Sequence, residues 1–339
     1  MTDTCLRYSD DSEPGITRER RGDGPWRYRM PDGRLIRDKA TIARLNAIAL
    51  PPAYRDAWFC AQDDGHILAT GIDERGRKQY RYHPDFRAER EAAKFGACAR
   101  FGAALPKLRA QVARDLAKRT LCRERAIAAV VRLLDLGRVR VGNEDYARTN
   151  KSFGATTLRR RHARLTGNRL RLAYTAKSGR RRVLTITDGS LTRFVRRCQD
   201  LPGQHLFAWV DDAGEAHPVT SSHVNEYIRA AMGDGFTAKH FRTWGASVIA
   251  YELLVASDEP PTLKAMLEPV VAALGNTPAI ARKSYVHPLL IDRCRGGAGL
   301  NGPRMTLPRA TRHLSRAERG LIAFLDACDG ACQPTAKAA

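Results

Sequence analysis

The chain has 339 residues and a mass of 37.7 kDa, and its 58 Lys+Arg against 36 Asp+Glu give a net charge of +22 and a pI near 10.2. A 43% hydrophobic share excludes wholesale disorder, and no apolar run approaches the roughly 18 residues of a helical membrane span. The polar, acidic opening MTDTCLRYSDDSEPG is not a secretory signal, and the scattered cysteines contain no CxxC pair, so they read as reduced thiols in a cytoplasmic protein.

Residues 1–24 are polar and are expected to form a flexible arm. From Trp26 to His83, short alternating runs (WRYRM, RLI, HILATGID, RKQYRYH) broken by PDG and ERG turns predict strands and hairpins. A helix over Lys39–Ala49, stopped by Pro51 and Pro52, interrupts them. This is a β-rich domain over residues 25–88, with a hinge expected around Pro84–Arg90. From Phe86 the period becomes helical. One helix is expected to stop at Pro106, another covers RERAIAAVVRLLDLG, and the helical domain runs over 89–292. Inside it, RLRLAY and RVLTIT alternate with period two, which predicts a hairpin over 169–187 with its turn at Lys177, Ser178 and Gly179. Helices follow over about Ser222–Met232, Ala238–Leu254 and Pro261–Leu274. Gly275 ends the last of these, and Thr277 with Pro278 starts a short one that carries Tyr285. Residues 293–339 hold a loop, a helix opened by a Ser315/Glu318 capping box, and a tail.

The charge is not evenly spread. Residues 1–90 carry 17 Lys+Arg and 15 Asp+Glu, which leaves 41 against 21 for the remainder. A folded region with that excess suits a polyanion whose condensed counterions it can displace, and nucleic acid is the partner this implies. Charge alone does not separate this from arginine-rich drift. Chemistry does more. There is no phosphate-binding GxxxxGK[ST] loop, no GxGxxG, no HExxH and no DxDxDG, so nothing supports ATP coupling or a dedicated metal site. Phosphoryl transfer on DNA without a metal needs cations on the phosphate, a protein nucleophile and a proton donor for the leaving oxygen. GRVRVGNEDY offers Arg140, KHFRTWG offers Arg242 beside Lys239, the hairpin tip offers Lys177, and LGNTPAIARKSYVHP offers Asn276 and Tyr285.

Taken in order, KQYRYH, RVRVGNEDYA, KxxRTWG and LGNTPxIxxxSY resemble the bacterial branch of the poxvirus-type DNA topoisomerase IB enzymes, over about residues 26–292. The resemblance implies an α+β fold: a small β-rich N-terminal domain and a larger, mainly helical catalytic domain of the tyrosine recombinase/topoisomerase IB type, forming a C-shaped clamp around double-stranded DNA. It also implies relaxation of supercoils of either sign through a 3′-phosphotyrosyl intermediate, with no cofactor, by a nucleoid-associated monomer. Tyr285 would be the nucleophile and Lys177 the general acid, while Arg140, Arg242 and Asn276 would hold the scissile phosphate. Gln79, Tyr80, Tyr82, Tyr146 and Lys239 would touch DNA. Asn143 and Glu144 depart from the viral pattern, as does Asn276, where viral relatives carry His. Each residue also has a plainer reading: Tyr80 and Tyr82 as core aromatics, Lys177 as a solvated turn residue, Asn276 as a helix-end residue. The alternative functions are a tyrosine recombinase or integrase, which usually shows HxxR where this chain has Lys239 to Arg242, and a non-enzymatic basic DNA-binding protein.

Overall fold

The computed structural model describes residues 6–296 and 305–332, without Arg21, Asp23, Asp258 and Pro260 and without the side chains of residues 330–332. It divides into two compact units, Met1–Ala93 and Lys94–Ala339.

The first unit is an antiparallel sheet in the order β2-β1-β3-β4-β5, made of β1 (Ile16–Glu19), β2 (Arg27–Arg29), β3 (Arg55–Phe59), β4 (Ile67–Ile72) and β5 (Lys78–Tyr82). Helix α1 (Lys39–Ala47) is capped by Asp38, whose carboxylate accepts the Thr41 N–H at 2.7 Å. Ile16, Tyr28, Leu45, Leu50, Phe59 and Ala69 form the core, where Tyr28 meets Phe59 edge to face and donates its hydroxyl to Asn46 Oδ1 at 2.8 Å. The β4–β5 turn is tied by Asp73, which accepts the N–H groups of Arg75 and Arg77 and the side chain of Gln79; the Arg77 guanidinium brings its carboxyl down to about 2.

The flexible arm expected over residues 1–24 is corrected by this sheet. Ile16–Glu19 pairs with both β2 and β3, and Ile16 is buried. Further upstream, Arg7 N–H donates to the Asp64 carbonyl and Ser9 Oγ to the Ile67 carbonyl. The one apolar residue of ITRE is masked in the sequence by its charged neighbours, yet it supplies the buried side of an interior strand.

In the second unit, α3 (Cys98–Leu116), α4 (Arg123–Gly137) and α8 (His240–Ala256) form the centre. Ala126 to Leu134 on α4 and Phe241 to Val248 on α8 are buried almost without interruption, as an interior helix requires. Around them lie α5 (Glu144–Asn150), α6 (Gly189–Cys198), α7 (Ser221–Met232), α9 (Leu263–Leu274), α10 (Pro278–Ser284), α11 (Pro288–Cys294) and α12 (Arg316–Cys332), with α2 (Pro84–Gly96) leading in. A sheet of β6 (Ala163–Thr166), β7 (Arg169–Thr175) and β8 (Arg181–Thr187) turns Leu170, Leu172, Tyr174 and Ile186 inward. A small hairpin, β9 (Ala208–Val210) with β10 (Ala216–Pro218), lies outside the predicted set, as does β6.

Pro106 does not end a helix. α3 runs through it, because the lost hydrogen bond is outweighed by burying Leu105 and Leu108 on either side. The segment expected to be a hinge, Pro84–Arg90, is helical and belongs to α2. The expected capping box is present: Glu318 N–H donates to Ser315 Oγ at 3.1 Å, and Ser315 N–H to Glu318 Oε2 at 2.8 Å. α12 extends to Cys332 and buries Leu321, Phe324 and Leu325 in the second unit's core. The loop expected past Cys294 falls largely on residues 297–304, and the tail on 333–339, outside the described residues. Among the described residues Cys60, Cys98, Cys122, Cys198 and Cys294 are free thiols. Among the described residues no helix is long and apolar enough to cross a membrane.

Candidate active site

Helix α4 ends at Arg138 in the left-handed conformation (φ 50°, ψ 30°), which turns the chain sharply into the extended segment holding Arg140. That segment is held by backbone: the Arg140 carbonyl accepts from Ala155 N–H at 2.8 Å and the Val141 carbonyl from Thr156 N–H at 2.7 Å. Two glycines make the approach possible, since a Cβ on Gly154 would lie 2.5 Å from Gly142 N.

Arg242 sits on the first turn of α8 and is 4% exposed. Its Nη1 donates to the Arg138 carbonyl; its Nη2 donates to the Leu274 carbonyl at 3.2 Å and to Asn276 Oδ1 at 3.2 Å. Burial, partly offset by Tyr285, brings its guanidinium down to about 10, which still leaves it charged at neutral pH. The glycine of RTWG has a reason too: a Cβ on Gly245 would lie 2.5 Å from Arg138 Nε, so the Arg138 side chain passes only over a glycine.

Gly275 ends α9 with φ 66°, and Asn276 follows, 6% exposed. Its Oδ1 accepts from both Arg140 Nη2, at 3.1 Å, and Arg242 Nη2. The amide oxygen is therefore turned to the two cations and the amide N–H₂ away from them. Among the described residues neither Asn276 Nδ2 nor Arg242 Nε, both buried, has a partner in hydrogen-bonding geometry. Thr277 caps α10 by accepting the Ile280 N–H, and Tyr285 closes that helix. The backbone around Tyr285 is pinned: Lys94 Nζ donates to the Ser284 carbonyl at 3.0 Å, Ser247 Oγ to the Tyr285 carbonyl at 3.4 Å, and His287 N–H to Ser247 Oγ at 3.1 Å. The Arg242 guanidinium lies 4.7 Å from the centre of the Tyr285 ring. Burial alone pushes this phenol up, but the charge and close approach of Arg242, then Arg140, and the nearby Asn276 amide outweigh it, so the phenol lies below its usual value of 10.0.

Beside them opens a cavity of about 510 Å³ lined by five arginines (Arg140, Arg180, Arg181, Arg182, Arg242), Asn276 and Tyr174 and, among the described residues, by no carboxylate. Lys177 is not drawn into it. The hairpin tip is a 3-10 turn, Lys177–Gly179, with Ser178 at φ 66°; Lys177 is exposed there and without a hydrogen bond or ion pair among the described residues, although Ala176 and Arg180 on either side of the turn line the cavity.

The expected DNA-contact residues are divided between the two units, Gln79, Tyr80 and Tyr82 in the first and Tyr146 and Lys239 in the second. Tyr80 and Tyr82 are 42% and 40% exposed and stack on each other, centroids 5.8 Å apart, so they are surface and not core aromatics. Gln79 donates to Asp73, Tyr146 is exposed on α5, and exposed Lys239 lies at the N-terminus of α8. Asn143 caps α5 by accepting the Tyr146 N–H, and Glu144 pairs with Arg159. Arg182 was missed by residue type, being one of three consecutive arginines. Strand alternation marks it, since Arg182, Leu184 and Ile186 share one side of β8. Among the described residues no group of three or more His, Cys, Asp or Glu is placed to hold a metal ion.

Comparison with known proteins follows the same division. Residues 83–279 match the family described as eukaryotic DNA topoisomerase I, catalytic core, and residues 25–73 match the bacterial DNA topoisomerase IB N-terminal domain. The DNA topoisomerase 1B of Acanthamoeba polyphaga mimivirus is 30% identical over 286 residues, covering 80% of this chain and 85% of the viral one. Among solved structures, the XerH site-specific recombinase in its pre-cleavage complex with difH is 14% identical with a TM-score of 0.36, over 54% of this chain and 48% of that one. Its post-cleavage complex is 13% identical with a TM-score of 0.35. This chain thus spans about half the length of those recombinase chains, and both scores are too low to bear on fold or function.

Proposed function

The chain belongs to the type IB DNA topoisomerase family and is a DNA topoisomerase, and from that premise we propose that Tyr285 cleaves one strand of a duplex by forming a 3′-phosphotyrosyl bond. One observation carries the reading: two guanidiniums and an unpartnered amide N–H₂ converge on a phenol whose proton they loosen, with no carboxylate among them. Buried donors without partners indicate an acceptor that arrives from outside. A phosphate supplies it, its non-bridging oxygens taking Arg140, Arg242 and the Asn276 amide.

In the proposed step the Tyr285 oxygen attacks phosphorus, the bond to the 5′ oxygen breaks, and that oxygen takes a proton from Lys177, brought to it when the hairpin tip enters the groove. One phosphate ester replaces another, so rejoining is the reverse reaction and needs neither ATP nor an obligatory metal. While the nick is open the free end swivels and supercoils of either sign relax. Exposed Tyr80 and Tyr82, with Gln79, Tyr146 and Lys239, are proposed to contact the duplex, which the two units would embrace; scattering from the protein with and without a duplex should show compaction. The enzyme is proposed to work as a monomer on nucleoid DNA in the cytoplasm.

The test is relaxation of supercoiled plasmid in EDTA without ATP. Wild type should give a ladder of relaxed topoisomers and Tyr285→Phe none. Site-specific strand exchange would favour a recombinase instead, and equal inactivity of both proteins would favour a non-enzymatic binder.

A further inference from the structure

Arg182 comes from β8, five residues after Lys177, and its guanidinium reaches two other segments of the site. Arg182 Nη2 donates to the Gly137 carbonyl at 3.0 Å and to the Ala273 carbonyl at 2.5 Å. Both are carbonyls at helix C-termini, where the ladder leaves acceptors unpaired and the helix dipole is negative. Arg242 grips the next residue along each chain, Arg138 and Leu274. The two arginines therefore staple the same pair of helix ends, α4 and α9, one residue apart.

Gly275 fits the same arrangement. Its φ of 66° favours glycine, and a Cβ there would also lie 2.5 Å from Arg182 Nη1, so the turn before Asn276 is moulded on this guanidinium. Among the described residues Arg182 Nε is buried without a hydrogen-bond partner and no acid pairs with this cation, so two helix ends stand in for one.

We infer that Arg182 is a positioning residue for cleavage: it holds the Gly137–Arg140 and Ala273–Asn276 segments at one separation, so that Arg140 and the Asn276 amide meet the same phosphate. This rests on the proposed cleavage site above. The Nη2 donors of Arg182 are taken up by two backbone carbonyls, so this edge of the guanidinium is committed to holding the two segments. Both bonds leave one nitrogen, Nη2, and a lysine side chain ends one bond short of that position, so its ammonium does not reach both carbonyls.

The experiment is single-turnover cleavage of a duplex by Arg182→Ala, Arg182→Lys and Asn276→Ala, and by the double variant Arg182→Ala/Asn276→Ala, with duplex affinity and Tm measured for each. The expected result is a fall of about 10²-fold in the cleavage rate for Arg182→Ala, as misplacement of reacting groups by about 1 Å produces. Duplex affinity should stay within about 2-fold, and Arg182→Lys should be nearly as slow as Arg182→Ala. Adding Arg182→Ala to Asn276→Ala should cost much less than it does alone, because both act through one geometry. Cleavage at the wild-type rate would overturn the inference, as would losses that multiply in the double variant or full recovery by lysine. If Arg182→Ala fails to fold, the cycle is run with Arg182→Lys, and multiplying losses overturn the inference there too. A relaxing Tyr285→Phe protein would instead overturn the underlying cleavage site, an outcome these variants do not produce.

Discussion

The arginine cavity and the hairpin tip belong to one sheet-and-helix unit yet are prepared to opposite degrees. In the cavity, Arg242 and Asn276 are buried, share an acceptor, and are fixed by carbonyls from two helix ends. At the tip, Lys177 stands in solvent on a turn held by the Ala176 and Arg180 backbone. The difference teaches which parts of the reaction need preorganisation. Charge that must stabilise a transition state costs least when its donors are oriented beforehand. A general acid instead must be delivered to the leaving oxygen together with its proton, and a side chain left in solvent on a turn can be carried there.

A second contrast lies inside the cavity. Tyr174 lines it, with Arg182, Arg242 and Arg140 all acting on its phenol, but burial outweighs them and the phenol lies above its usual value. Tyr285, less deeply buried and directly against Arg242, is shifted the other way. The same cations act on two tyrosines, and the depth of burial sets the direction in which each phenol moves.

The sharpest way to break the first comparison is Arg242→Ala. It removes a proposed phosphate donor, the main charge lowering the Tyr285 phenol, and the partner of three acceptors. Single-turnover cleavage should fall by about 10³-fold and the Tm should drop, since the Arg138 and Leu274 carbonyls lose a buried donor. A variant that cleaves within 10-fold of wild type would show that the cavity is not the phosphate site. Next in size is Lys177→Ala, expected to slow cleavage by about 10²-fold with no change in Tm, because the side chain is exposed. A duplex with a 5′-thio leaving group needs no proton, so it should restore most of that rate and restore none of the loss in Arg242→Ala. Equal thio rescue of both variants would erase the distinction between the two regions.

Asn276→Ala should be milder, about 10-fold on cleavage, the scale of one neutral hydrogen bond. It has a pH signature. The amide helps to lower the Tyr285 phenol, so its removal raises that pKa, and the rising limb of the rate profile should move to higher pH. A limb that stays in place would confine Asn276 to holding the arginines.

Much of this was legible in residue order and some of it could not be. Turn chemistry and caps are local, so the Lys177 hairpin, Gly275, the Thr277–Pro278 start and the Ser315/Glu318 box could be read directly. Arg140, Arg242, Asn276 and Tyr285 were legible only as a set of motifs, since alone each is an ordinary residue of a basic chain. The strand at Ile16 was hidden because a single apolar residue carries its burial. Arg182 was hidden for a different reason. Its partners are the carbonyls of Gly137 and Ala273, which any residue would supply, so no residue type far along the chain announces the contact.

The smallest kinetic effect is expected at the far side of α8. Glu318 on α12 accepts from Arg109 Nη2 at 2.7 Å and Trp244 Nε1 at 3.1 Å through one oxygen, and from Arg109 Nη1 at 2.9 Å and Ser315 N–H at 2.8 Å through the other. Trp244 is two residues from Arg242, so α12 supports the helix that carries the site. Glu318→Gln turns one accepting oxygen into a donor and sets it against two N–H groups, while Asp135 keeps its own pair of bonds to Arg109. The stability loss should be about 2–3 kcal/mol, with cleavage by the folded fraction within about 2-fold of wild type. Burial raises the Glu318 carboxyl, but Arg109, Ser315 and Trp244 bring it below its usual 4.5. A depressed acid stabilises the fold above its unfolded pKa and loses that contribution as pH falls through the folded value. The gap between wild type and Glu318→Gln in denaturant should therefore be full at pH 7 and close below about pH 4.5. A variant of wild-type stability whose cleavage is 10-fold slower would carry the preorganised region out to α12, and the line drawn between cavity and scaffold would have to move with it.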